Sequence, residues 1–301
     1  VDLPPSELPP PDLVEIASRH GCSGLVPVGS GLEFAVFRAT AADGSGVVLR
    51  TPVGGRFQGN ANDPVVDTRA LLRWENAVTK HVAGFGIPVA TPRALVLGDR
   101  DVLISDYLPD DGTGAGQAGL GALLRRLHDI PPPTAAPPHP AKMSTVDFLV
   151  RRITQRWAGL RAIVPDLPAA PAVPALRATL AGARVTSLVH LDVRAANLRC
   201  VGGTVRGLLD WSNALISEPL LELARVAEFA LLPANGIDFH RVLAAYGTPE
   251  PTGARYWLYR LDAALMLALV FTSEAPDPVA GARAVDRLVD VRARLLRHWD
   301  R

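Results

Sequence analysis

The sequence predicts an α+β chain of two lobes, a small antiparallel sheet carrying one helix and then a larger, mainly helical lobe. Three observations lead there. From about Leu25 to Tyr107 the text is strand-like, with a single helical stretch inside it. A turn-rich loop, "PDDGTGAGQAG", then breaks the pattern. Beyond it, five stretches of helical periodicity are interrupted by only two short apolar strands. The division falls at residues 1–105 and 106–301, with a hinge near Ser105–Pro109.

The elements follow in order. "GLVPVGSGLEFAVFRAT" is two apolar runs around a Gly-Ser-Gly turn, and "SGVVLRTP" is a short β-branched strand entered through the hairpin turn "ADGSG". Pro64 to Gly84 reads as a helix, with Leu71, Val78 and Val82 on one stripe, ended by "GFGIPV". "VATPRALVLGDRDVLISDYL" supplies two more strands. The second lobe contains the helices "LGALLRRLHDI", "STVDFLVRRITQRWAGL", "PLLELARVAEFALL", "ARYWLYRLDAALMLALVF" and "AVDRLVDVRARLLRHW". Its two short strands are "RVTSLVHLD" and "TVRGLLDW".

Composition excludes several classes. With 48% hydrophobic and 20% charged residues and a formal charge of +1, the chain has no basic excess for nucleic acid and no profile of disorder. Cys22 and Cys200 stand in unrelated contexts without metal spacing, which fits a reducing cytoplasm. The proline-rich start lacks the basic segment and apolar core of a signal peptide, and Leu261–Phe271 is too short to span a bilayer and carries Asp262. Lysine occurs only at Lys80 and Lys142, so arginine must supply almost every cation.

The chemistry-bearing stretch is "VHLDVRAANLRCVGGTVRGLLDW", Val189–Trp211. His190, Asp192 and Asn197 form H-x-D-x-x-x-x-N, and Asp210 ends an apolar strand after a "GG" turn, a hairpin holding two carboxylates and an amide at one end. Alone, Asp192 and Asn197 read equally well as turn and cap residues. With Asp210 they match the kinase catalytic loop and the metal-binding aspartate downstream of it. Phosphoryl transfer needs a carboxylate to orient and deprotonate the attacking hydroxyl, here Asp192, and two hard oxygen ligands for Mg²⁺, here Asn197 and Asp210. His190 reads as a brace for the loop. A metallohydrolase would need further ligands nearby, and the stretch offers no second histidine.

"HLDVRAANL", "GLLDWSNA" and "EPLLELARVAEF" together resemble the aminoglycoside phosphotransferases and related small-molecule kinases, whose core shares the protein-kinase-like fold. "LGALLRRLHDI" is similar to that superfamily's first helix of the larger lobe, and "VGSGLEFAVFRA" with "VVLRTP" to its nucleotide loop and third strand. The resemblance implies ATP as donor, with GTP not excluded, and Mg²⁺. It places Gly29, Ser30 and Gly31 over the phosphates, although the third glycine of a protein-kinase loop is missing and Phe34 stands where relatives often carry a small polar residue. Arg50 takes the strand position of the usual lysine. Glu75 is its partner on the inserted helix, since it falls on the apolar stripe and a buried carboxylate needs a counter-charge. The backbone of Ser105, Asp106 and Tyr107 is the adenine hinge. Arg194 lies where protein kinases keep a lysine facing the transferring phosphate.

The acceptor is a small-molecule hydroxyl. After Asp210 the chain enters the next helix with no activation segment and no Ala-Pro-Glu motif, which disfavours a peptide acceptor. From Asn235 onward there are eight acidic and nine arginine residues, with Tyr256, Trp257, Tyr259 and Phe271. A balanced, aromatic pocket of this kind suits a neutral or amphipathic acceptor, an antibiotic or other natural product among them. A catalytically silent nucleotide-binding protein of the same fold is the alternative, as is a kinase of a metabolic amino alcohol or sugar. Neither a nucleic-acid nor a membrane partner is expected, and the oligomeric state is left open.

Overall fold

A computed structural model describes residues 8–138 and 143–300; Lys142 lies outside them. The first element is a helix that the proline-rich text conceals, α1 (Pro11–Arg19). Its opening proline sits where a backbone N–H has no helical partner anyway. Leu13, Ile16 and Ala17 pack from it onto Val47, Leu49, Val102 and Ile104 of the sheet. Leu13 and Ile16, withdrawn from water, each contribute roughly 1.5–3 kcal/mol.

The sheet contains β1 (Cys22–Ser30), β2 (Phe34–Ala41) and β3 (Gly46–Pro52). A small ribbon, β4 (Phe57–Gln58) and β5 (Val66–Asp67), leads into α2 (Thr68–Ala83), and β6 (Pro92–Val96) and β7 (Val102–Asp106) complete it. The five-stranded sheet runs β1-β2-β3-β7-β6, antiparallel throughout. Along β3 the side chains alternate: Val47, Leu49 and Thr51 are buried toward α1, and Arg50 faces the other way. On Arg50's face Phe34, Leu72 and Leu103 form a second small core beneath α2.

Asp67 caps α2 by accepting from the Ala70 N–H at 3.1 Å, a contact worth about 1 kcal/mol. The buried side of α2 is Leu72, Trp74, Glu75, Val78, Thr79 and Val82; Leu71, expected on the stripe, is displaced to its flank. Trp74 Nε1 donates to Ala214 O at 2.9 Å and so ties this helix to the second lobe.

The larger lobe begins with α3 (Gln117–Asp129), α4 (Thr145–Ile163) and α5 (Val173–Leu180). Four short strands follow, β8 (Ser187–Val189), β9 (Leu198–Val201), β10 (Thr204–Leu208) and β11 (Leu215–Ser217). The helices α6 (Pro219–Phe229), α7 (Phe239–Tyr246), α8 (Ala254–Leu269) and α9 (Pro278–Trp299) complete it.

Here the pairing differs from the expected hairpin. "RVTSLVHLD" does not pair with "TVRGLLDW": β8 pairs with β11, and β10 pairs with β9, which starts just after Asn197. The β9–β10 turn is Gly202–Gly203, both at positive φ (56° and 74°), as a tight two-residue hairpin requires.

Tyr256 and Tyr259 are also not pocket walls. Both are about 1% exposed in the core formed by α4, α8 and α9, with Trp157, Leu261, Leu265, Leu288 and Val291. Their hydroxyls are used internally: Tyr259 donates to Glu218 at 2.8 Å, and Tyr256 accepts from Arg260 at 2.9 Å. Among the described residues no helix is long and apolar enough to cross a membrane.

Candidate active site

The β8–β11 pair holds both ends of the segment that carries the chemistry. Just past β8 the chain makes a forced turn at Leu191, a non-glycine residue at φ 64°. Such a conformation costs of order 1–3 kcal/mol and persists only when its surroundings dictate it. They do so here through α6. Glu222 is fully buried and accepts the backbone N–H groups of His190 and Leu191, while Arg225, one turn later, donates Nε to Leu191 O at 2.9 Å. Burial works against the Glu222 carboxylate, but His128, with His190 and its backbone N–H, holds it below the usual range. Neither Glu222 nor Arg225 was singled out from the sequence. The signal available was three ionisable side chains, Glu222, Arg225 and Glu228, inside a helix that is otherwise apolar.

His190 is the brace. Its Nδ1 accepts from the Asp192 N–H at 3.1 Å, and its Nε2 donates to Leu209 O at 2.9 Å, which fixes the neutral tautomer. Burial lowers its pKa further. The ring meets Trp211 edge-on, with centroids 4.6 Å apart. Both nitrogens are therefore committed to the fold and neither is offered to a metal.

The three predicted chemical groups converge. Asn197 closes a single 3₁₀ turn, Ala195–Asn197, and its Nδ2 donates to Asp192 O at 2.9 Å and to Asp192 Oδ2 at 2.6 Å. Its carbonyl oxygen is thereby turned away from Asp192. The Leu209 N–H donates to Asn197 O at 2.8 Å, bringing the end of β10 beside the turn. Asp210 follows at φ 62°, a second left-handed non-glycine residue, and its Oδ1 accepts from Ser212 Oγ. The Asp192 carboxylate also accepts from Arg194 Nε at 3.1 Å.

Arg50 joins the two lobes. Its Nη1 donates to Glu75 Oε1 and its Nη2 to Asp210 Oδ1, both at 2.9 Å, and its guanidinium lies 4.4 Å from the centre of the Phe34 ring. Burial alone would raise Asp210, yet Arg50 and Ser212 hold it at about 2. Glu75 goes the other way: burial and the charge of Asp210 outweigh Arg50 and push it to about 7. Arg50 Nε and Glu75 Oε2 are buried without a partner.

The remaining predicted residues occupy the sheet. Gly29 and Ser30 are strand residues opposite Val36 and Ala35, and Gly31 starts the turn, its N–H donating to Phe34 O at 2.8 Å. Space above Gly29 is open. Ser105 and Asp106 close β7, opposite Val48 and Val47. The Asp106 and Tyr107 N–H groups are already given to Thr91 O and Gly46 O, and the Tyr107 ring carries Arg38 at 4.1 Å. Glu33, which the sequence reading passed over, sits in the β1–β2 turn. Burial, together with the charges of Asp210, Asp63 and Glu274, raises it to about 7 despite Arg50.

The residues present fit a magnesium–nucleotide. Asp210 is ionised, the Asn197 oxygen is available, and both are the hard oxygen donors that Mg²⁺ prefers while it shares phosphate oxygens and water. Among the described residues no cluster of three or more His, Cys, Asp or Glu side chains forms a resident metal site. The open surface depressions at Gly116–Gly119 with Ala244–Ala245, and at Arg126 with Gly202–Val205, include none of these groups.

The profile of a phosphotransferase enzyme family matches residues 24–257. No curated protein matches the chain. Among solved structures, it is similar to a thermostable mutant of the aminoglycoside phosphotransferase APH(4)-Ia in ternary complex with AMP-PNP and hygromycin B. That likeness has 18% identity and a TM-score of 0.60, covering 92% of this chain and 96% of that one. It is also similar to the macrolide 2'-phosphotransferase MphH of Brachybacterium faecium, at 20% identity and a TM-score of 0.53, covering 92% and 97%. The two-lobed α+β architecture is thus the protein-kinase-like one.

Proposed function

Because the chain belongs to the phosphotransferase enzyme family, we propose that it transfers the γ-phosphate of ATP to a hydroxyl group of a small molecule. The observation that carries this reading is the single network joining Asp192, Asn197, Asp210 and Arg50 across the two lobes. In it residues 1–105 hold the nucleotide and residues 106–301 supply the catalytic loop and the acceptor side.

Asp192 orients the acceptor hydroxyl and takes its proton, while Asn197 Nδ2 and Arg194 keep the carboxylate aimed. Arg194, bonded to this base through Nε, is the cation nearest it along the loop and would stabilise charge on the transferring group. Asn197 and Asp210 would hold Mg²⁺, which when bound neutralises charge on the phosphates. Arg50, positioned by Glu75, offers its planar fork to the phosphates, and the Gly29–Ser30–Gly31 turn covers them. The backbone of Ser105, Asp106 and Tyr107 borders the base; since the Asp106 and Tyr107 N–H groups are used within the sheet, carbonyl oxygens are what that edge offers.

The neighbour carrying AMP-PNP and hygromycin B supports a nucleotide donor and a polar small-molecule acceptor. Antibiotics and other natural products are therefore the first acceptors to examine, and GTP is the donor to set against ATP. Two buried free thiols, Cys22 and Cys200, fit a cytoplasmic enzyme.

The test is acceptor-dependent ADP release. Asp192→Ala should lower turnover by about 10²–10⁴-fold, the range for a lost general base, with AMP-PNP affinity retained. Near-normal turnover in that variant on the true acceptor would overturn the assignment.

A further inference from the structure

Beneath the catalytic loop lies an arginine cluster of which only Arg225, through the Leu191 carbonyl, has a part in the site described above. Arg152 and Arg156 of α4 and Arg225 of α6 are each less than a tenth exposed. They surround one equally buried carboxylate, Asp262 of α8, which pairs with Arg152 through Nε at 2.9 Å and through Nη2. Three guanidiniums thus share one buried counter-charge. Arg156 Nη1 stands 3.7 Å from Asp262, beyond hydrogen-bonding reach, and neither it nor Arg225 Nη1 has a hydrogen-bond partner. Burial and its two arginine neighbours pull Arg225 down to about 10, only partly offset by Asp262 and Asp192. A guanidinium left this way is costly unless something negative arrives.

The lid of the cluster comes from the other lobe. Asp63, on the loop before β5, reaches Arg156 Nη2 at 3.1 Å, and Arg156 Nε donates to Asn62 O at 3.1 Å. Asp63 is 44% exposed against 4% for Arg156, so the carboxylate that Arg156 pairs with on this side of the cluster stands at the solvent boundary. The rim is of opposite sign. Asn62 donates its N–H to Glu274 at 2.8 Å, Asn60 donates to Glu33 at 2.7 Å, and Asn62 Oδ1 is buried with no donor to meet it.

We propose that this cluster and its rim form the acceptor subsite and that they select a hydroxyl compound bearing both an acidic group and an amine. The acidic group, a carboxylate or phosphate, replaces Asp63 on Arg156 and meets the unpartnered Nη1 of Arg225. The amine is received by Asn62 Oδ1, Glu33 and Glu274. The subsite adjoins the catalytic loop, because Arg225 is bonded to the residue before Asp192. This deepens the phosphotransferase reading and rests on it. It replaces the neutral, aromatic pocket expected from the sequence, since Tyr256 and Tyr259 are core residues.

The test is calorimetric titration of the full chain, saturated with AMP-PNP and Mg²⁺, with three matched probes: L-homoserine, 4-hydroxybutyrate and 4-amino-1-butanol. Homoserine should bind most tightly. Arg156→Gln and Arg225→Gln should each weaken it by about tenfold, a loss of about 1.4 kcal/mol, with AMP-PNP affinity unchanged. Asp63→Asn should strengthen it, because the internal competitor is gone. Arg156→Lys should fall between the native chain and the glutamine variant, which separates charge from packing.

The proposal is overturned if the amino alcohol binds as well as homoserine, if none of the three probes binds, or if the glutamine variants leave homoserine affinity intact. Failure to bind AMP-PNP at all would instead count against the phosphotransferase reading, and homoserine titrated into the nucleotide-free chain still decides the arginine subsite.

Discussion

Arg50 on the central strand of the smaller lobe donates to Asp210 of the larger one across 2.9 Å. The same guanidinium holds Glu75, so one side chain stands between two carboxylates that sequence places far apart. The Arg50→Gln variant leaves Glu75 buried without its counter-charge, a loss of about 3 kcal/mol for breaking a buried pair from one side. Chemical denaturation should show that loss, and nucleotide KM should rise by about tenfold or more. Arg50→Lys should recover much of the stability but less of the KM, because an ammonium cannot span two partners as a fork does.

The Leu191 turn gives a second expectation. Glu222 accepts two backbone N–H groups with its two oxygens, and glutamine has only one acceptor oxygen. Glu222→Gln should therefore strand one buried donor and destabilise the chain by about 1–3 kcal/mol. The kcat should fall together with stability while AMP-PNP affinity holds, since the disturbed backbone leads to Asp192 and not to the sheet. A variant that unfolds normally and turns over normally would show that the turn holds itself.

Acid–base behaviour supplies a third. Glu33 is raised from 4.5 to about 7, chiefly by burial and then by Asp210, so the folded chain keeps a proton there that the unfolded chain releases. The native state binds the extra proton between those two values. Its contribution to stability is therefore complete below about pH 4.5 and is lost as pH rises through about 7. Glu33→Gln removes the titration. Measured without nucleotide, its unfolding free energy relative to the native chain should climb between pH 5 and pH 8; a difference flat with pH would refute the raised value. His190, held neutral by burial, titrates equally in both chains and cancels from the comparison.

A fourth concerns packing of the larger lobe. A Cβ on Gly121 of α3 would lie 2.3 Å from Val242 O and 2.8 Å from Ala245 Cβ of α7. Backbone cannot yield as a flexible side chain does, so Gly121→Ala should push the two helices apart and cost about 1–3 kcal/mol. The midpoint of thermal unfolding should drop, whereas Gly119→Ala, with open space above it, should leave the midpoint unchanged or raise it.

What the sequence disclosed follows from how locally each feature is encoded. Asp192, Asn197 and Asp210 stood out as polar groups spaced within apolar text, and Glu75 because a carboxylate on an apolar stripe calls for a cation. Helix α1 was hidden because prolines there serve as helix starts. The strand partners were misjudged because β8 and β11 have three residues each, too few for a pattern, and pair across the intervening hairpin. Glu33, Asn62 and Arg156 were not legible at all. Their roles arise from contacts such as Asn62 to Glu274, separated by 212 positions, and nothing near either residue encodes the other. Tyr256 and Trp257 show the same limit: adjacent aromatics on a helix point in different directions, and only the fold decides which one is internal.

The pairing of β8 with β11 has a consequence for how such an enzyme can change. Asp192, Arg194, Asn197 and Asp210 all lie on a stretch of chain whose two ends are zipped to each other, whereas the arginines beneath them come from α4 and α6. Reaction and recognition are thus written on different parts of the polypeptide. New clientele can be acquired by rewriting helix surfaces, with the reacting loop left as it stands.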